Sequence, residues 1–106
     1  MDRKQLEPAI KAFVALVKQR GYDIQGTFLT EAFPGDSSTS YILEVAADWS
    51  QQVGYSATVD ILIDALWDSM DVETRRHIFT IKIFDKVEDL TTFEKLRAKY
   101  YYAEPY

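Results

Sequence analysis

The sequence predicts a two-layer α+β sandwich in the order α-β-β-α-β-α, with a small mixed or antiparallel sheet carrying helices on one face. Three stretches carry that prediction. Apolar side chains at Tyr55, Val59, Leu62, Ile63, Leu66, Trp67 and Met70 recur at the i, i+4, i+7, i+8 spacing of one helix face. The run from Ile78 to Phe84 then changes to β-branched and aromatic residues at strand length. Between Tyr41 and Trp49 the odd positions are all apolar, while Glu44 and Asp48 fall on the opposite face.

The elements follow in chain order. A first helix is expected from Arg3 to about Arg20, with Asp2 and Gln5 as a capping box and Leu6, Ile10, Phe13, Val14 and Val17 as its buried stripe. Pro8 is tolerated because it lies in the first turns, and Gly21 is a left-handed stop after Lys18 and Arg20. Ile24 to Phe33 reads as a strand weakened by Gly26. The polar run from Pro34 to Ser40 is a loop, joining this strand to Tyr41–Trp49 as an antiparallel hairpin. Ser56 is the expected N-cap of the second helix, and residues 71–76 turn the chain, with room for one short helical turn. The helical crossover then suits a parallel return into the same sheet. Thr91 and Glu94 form a further capping box, starting a helix through Phe93, Leu96, Tyr100 and Tyr101. No repeat or linker divides the chain, so residues 1–106 form one domain.

Composition excludes several chemistries. The chain has no cysteine, which removes disulfides, thiolate nucleophiles and Cys-ligated metals. No apolar run reaches the ~18 residues of a membrane span, and Met1-Asp2-Arg3-Lys4 leads into an amphipathic segment rather than a signal-type one. A cytoplasmic location and no membrane partner are therefore expected. The charge is unevenly spread. Residues 21–74 hold Asp23, Glu31, Asp36, Glu44, Asp48, Asp60, Asp64, Asp68, Asp71 and Glu73 with no lysine or arginine, whereas both flanking segments are net basic. That field repels phosphate and attracts cations, so nucleic acid is not an expected partner. Lys95, Arg97 and Lys99 beside Tyr100–Tyr102 mix cations with aromatics, but a helix with a snorkelling basic rim accounts for them equally well.

The strongest constellation is the line Asp60, Asp64, Asp68, at i, i+4 and i+8 on one helix. Like charges at that spacing cost about 0.2–0.5 kcal/mol per pair, which a basic partner would recover. A solvated face is the plainer reading. No metal is expected, since no D-x-D loop or Glu-x-x-His pattern brings ligands together. Gly54-Tyr55-Ser56-Ala57-Thr58 has part of the G-x-S-x-G nucleophile pattern, but Thr58 replaces the last glycine and the chain is too short for the sheet behind such a turn. His77 is the only histidine and sits beside Arg75 and Arg76, so a structural role is expected and no catalytic residue is assigned.

The sequence therefore leads to a small acidic protein-interaction module, an adaptor, regulator or chaperone-like protein, that offers Asp60, Asp64 and Asp68, with Glu44 and Asp48, to a basic protein segment. A homodimer that covers the open face of the sheet is expected with it. The alternative is a small-ligand-binding protein or minor enzyme with a pocket between sheet and helices, lined by Tyr41, Trp49, Trp67, Arg75 and His77. No cofactor is expected in either case.

Overall fold

Residues 3–33 and 40–90 are described by the computed structural model. The first helix, α1 (Arg3–Gln19), buries Leu6, Ile10, Phe13 and Val17, spaced four, three and four residues apart along one face. It ends as its sequence requires. Gly21 takes φ 94°, Gly21 N donates to Lys18 O (3.0 Å), and Tyr22 N donates to Val17 O (3.1 Å). That pair of bonds satisfies carbonyls the helix itself leaves open, and the left-handed backbone favours glycine.

Strand β1 (Gly26–Glu31) pairs antiparallel with β2 (Tyr41–Ala46), with Leu29 opposite Leu43. β2 then leaves the sheet earlier than the alternation of its sequence predicts. Ser50 N donates to Ala47 O (3.1 Å), and a short helix, α2 (Ser50–Val53), begins where the strand was expected to have just ended. Helix α3 (Tyr55–Ser69) follows directly, and a single turn, α4 (Val72–Arg75), precedes strand β3 (Ile78–Phe84). β3 pairs parallel with β2, so the sheet is mixed with β2 in the centre and both other strands at its edges. Phe79 is the extra residue of a register shift between Tyr41 and Ile42. A 3-10 turn (Val87–Asp89) closes the described chain. The helix expected after Thr91, the capping role of Asp2 and most of the loop at Pro34–Ser40 lie outside the described residues.

The core lies between the helices and one sheet face. Leu6, Phe13 and Val17 of α1, Leu43 and Val45 of β2, and Leu62 and Ala65 of α3 are fully enclosed there, with Leu29, Leu66 and Ile81 at its rim. Each such large side chain contributes about 1.5–3 kcal/mol by leaving water. This arrangement is the α+β architecture that the sequence predicts.

The opposite sheet face departs from expectation. It is not open along its length: Ala46 is fully buried and Glu44 is 2% exposed. At one end the 3-10 turn folds beneath β1, where Val87 and Leu90 occupy the space a side chain at Gly26 would need. Gly26 is thus a close-approach glycine. Among the described residues no buried side-chain polar atom lacks a hydrogen-bond partner, Glu44 included.

Candidate functional site

Helix α3 has its apolar stripe on Thr58, Leu62, Ala65 and Leu66, and this fixes what it shows to solvent. At 100° per residue, Asp60, Asp64 and Trp67 fall within one turn of the opposite side. All three are exposed, Trp67 by 60%. The sequence places Trp67 and Tyr55 on the buried face, but both stand out of it, because Leu62, Ala65 and Leu66 already fill the contact with the sheet.

The three aspartates share a line but not an environment. Asp68, at the end nearer α1, accepts a hydrogen bond from Arg20 Nη2 across the two helices. Asp60 and Asp64 make no ion pair with a described residue, leaving two carboxylates one turn apart and open to water. Asp48 is exposed in the turn after β2, where its own N–H donates to Gln25 Oε1 (2.7 Å). Glu44 does not join this surface. It points from the central strand to the sheet face away from α3 and is buried there, so a partner cannot reach it without opening that side. Of the five acidic residues singled out in the sequence, Asp60 and Asp64 are brought together with Asp68, and Glu44 and Asp48 stand apart.

The residues of the ligand-pocket alternative separate into two groups. Trp49 sits at the α2 end of the sheet, its ring 4.6 Å from that of Tyr22 and its indole N–H donating to Asp23 O. Tyr41, Arg75 and His77 lie at the opposite end of β2. Tyr41 is 7% exposed and belongs to the core, and its N–H donates to His77 O (2.8 Å). Arg75 lies 4.0 Å above the centre of the Trp67 ring and donates from Nη1 to Trp67 O and Met70 O, both at 3.0 Å. Its guanidinium therefore closes the C-terminus of α3, where carbonyls lack helical partners and a positive charge is favoured. An open groove of about 270 Å³ runs beside this pair, lined by Ile63, Leu66, Ile78 and Ile81. Trp49 has no part in it.

Two local expectations are corrected by the same chain segment. Ser56 lies inside α3 and caps nothing; the residue before the helix is Gly54, at φ 93°, with no side-chain cap. The buried hydroxyl here is that of Thr58, which donates to Gly54 O (2.7 Å) and ties α3 to α2 through Ser50 O (3.4 Å). Ser56, the serine of the partial nucleophile pattern, is exposed on the first turn of α3. Asp71 provides the cap that Ser56 does not. It starts α4, accepting from Thr74 N (2.8 Å), and the bonds from Thr74 with the nearby Arg75 charge hold its carboxyl below the ordinary aspartate range.

Among the described residues no group of three histidine or acidic side chains is placed to hold a metal ion. No described helix is long and apolar enough to cross a membrane. The site that emerges is a surface rather than a cleft: two open carboxylates and an indole on the outer side of α3. Comparison with protein-family models, with curated proteins and with solved structures finds no match to this chain.

Proposed function

We propose that this chain is a small acidic interaction module, of adaptor, regulator or chaperone-like type, that binds a basic protein segment on the outer face of α3 in the cytoplasm. Asp60 and Asp64 receive the partner's lysine or arginine side chains, and the exposed Trp67 ring covers their aliphatic stems. The observation that supports this most directly is the contact between Arg20 and Asp68. The third carboxylate of the same line already holds a guanidinium that comes from a neighbouring helix. Asp60 and Asp64 offer the same chemistry with no described partner. The reading assigns the chain no catalytic step. A ligand pocket has less support, because Trp49 is separated from the other four side chains proposed for it.

A fluorescein-labelled arginine-rich peptide, followed by anisotropy against the full chain, tests the proposal. Reversing Asp60 and Asp64 to lysine turns two attractions into repulsions, so binding weakens by roughly tenfold or more. The wild-type affinity falls with added salt, since exposed pairs are screened. The circular dichroism spectrum is unchanged because both positions are exposed. Equal affinity for wild type and double variant would remove the reading.

A further inference from the structure

The edge of the sheet at β3 carries a second surface, independent of the acidic face. Natural edge strands are blunted by charge, proline or shortness. β3 is seven residues long, contains no proline, and has Lys82 as its one charged residue. The bond from Ala47 N to Phe84 O (2.8 Å) turns the Phe84 backbone toward β2. Strand alternation then turns the N–H and C=O groups of Ile83 and Ile81 outward, where no described strand pairs with them. An exposed aromatic marks this edge: Phe79 (59%), in edge contact with Phe33 at 5.1 Å.

We propose that β3 pairs antiparallel with β3 of a second copy across a two-fold axis at Ile81, joining two sheets into one of six strands. The strand fits its own image. Ile81 is the middle residue of Ile78–Phe84, so this is the register in which all seven residues overlap. On the helix side Ile81 meets the second copy's Ile81, and Phe79 meets Ile83. On the other side Thr80 meets the second copy's Lys82. Moving the axis to Lys82 would set lysine against lysine, which is unfavourable directly across a ladder. Just beyond the strand, His77 faces the second copy's Asp85; Arg76, which faces Lys86, is already drawn to Glu73 at 3.3 Å.

The area fits a reversible dimer. A seven-residue edge is about 23 Å long. At its observed exposure Phe79 supplies roughly 100–150 Å². With the strand backbone this stays well below the ~800 Å² per partner of a standard interface, the size of a reversible rather than an obligate contact.

Sedimentation equilibrium of the full chain from about 1 to 200 µM tests it, the range in which an interface at the low end of that scale dissociates. The average mass is expected to rise from 12.3 kDa toward twice that value. Thr80 is exposed, so it can be changed without disturbing the core. Thr80→Lys opposes the second copy's Lys82 twice across the axis and weakens the dimer, by roughly 3- to 10-fold; Thr80→Glu tightens it by a similar factor. These directions are the reverse of what net charge alone would give, because the chain is at −5 and lysine reduces general repulsion. A monomer across the whole range overturns the proposal. So does a dimer indifferent to both substitutions, which would use another surface, and so does open-ended association, which a closed two-fold pairing does not allow.

Discussion

Gly26→Ala tests whether the turn at Val87–Asp89 is truly locked against the sheet. A Cβ at Gly26 would lie 2.7 Å from Val87 Cγ2 and 3.2 Å from Leu90 Cδ1. Leu90 can swing a terminal methyl aside. Val87 is β-branched and restricted at χ1, so relief requires the turn to lift from β1. Overpacking of this kind costs about 1–3 kcal/mol. Against it, alanine recovers about 0.5–1 kcal/mol that glycine loses inside a strand. The net destabilisation is then about 0–2.5 kcal/mol, or a fall of up to roughly 10 °C in Tm for a domain of this size. The partly cancelling terms make coupling the sharper measurement. Val87→Ala removes the obstructing methyl, so in the double variant the clash disappears and the strand gain remains. Urea unfolding followed by circular dichroism should give a coupling of about 1–3 kcal/mol between the two sites. Strictly additive costs, or a Gly26→Ala variant more stable than wild type, would refute the reasoning.

Two further outcomes follow from individual contacts. Because the bonds from Thr74 and the Arg75 charge lower the folded-state pKa of Asp71, the unfolded chain protonates this group first as pH falls. Its contribution is therefore complete above the ordinary aspartate range and lost as pH drops through the lower folded value; in an NMR titration the Thr74 amide should report a midpoint below that of a model aspartate, and a midpoint at or above it contradicts the cap. Arg20→Ala breaks a bridge between side chains that are 37% and 59% exposed, so it should cost less than about 1 kcal/mol. By freeing Asp68 it should also tighten binding of the arginine-rich peptide, by roughly 2- to 5-fold; weaker binding would show that Asp68 does not belong to the same surface.

Much of the fold was legible because burial and periodicity agree. In α1 the apolar spacing, Lys18 near the end and Gly21 beyond it all mark one helix, and the helix ends there. In β3 the β-branched run has strand length and little polar content, so nothing competes with that reading. The errors arise where local pattern and packing diverge. Trp49 continues the alternation of β2, yet the chain leaves the sheet at Ala47 because the aromatic ring finds Tyr22 and a carbonyl acceptor at Asp23. Those partners lie 26 or more residues away along the chain, and no window of sequence contains them. Trp67 satisfies the helical spacing read from the sequence, but it lies on the side of α3 away from the residues that are buried, and a nearby guanidinium stabilises the ring in solvent. Glu44 shows the converse. A carboxylate on the polar side of an alternating strand reads as exposed, and only the three-dimensional arrangement reveals that this side is covered. For the candidate site, the line of aspartates could be read from spacing alone. That Asp68 is engaged and its two neighbours are not depends on where α1 ends, which spacing does not encode.

The two proposed surfaces are related by geometry. Antiparallel edge pairing about an axis normal to the sheet keeps the same face of each sheet on the same side. Both copies of α3 would then stand on one side of the six-stranded sheet, with Asp60 and Asp64 of each turned outward. A pair of weak acidic sites would become one bivalent surface. Each exposed carboxylate contributes little alone, about 0.2–1 kcal/mol per ion pair, but a segment with two basic clusters binds the second site at the effective concentration its linker sets. Dimerisation through β3 would thus raise affinity for long basic segments and leave short ones unaffected. A three- or four-residue arginine peptide should bind wild type and Thr80→Lys alike. A peptide with two such clusters on a flexible linker should distinguish them, because only the dimer lets both clusters engage at once.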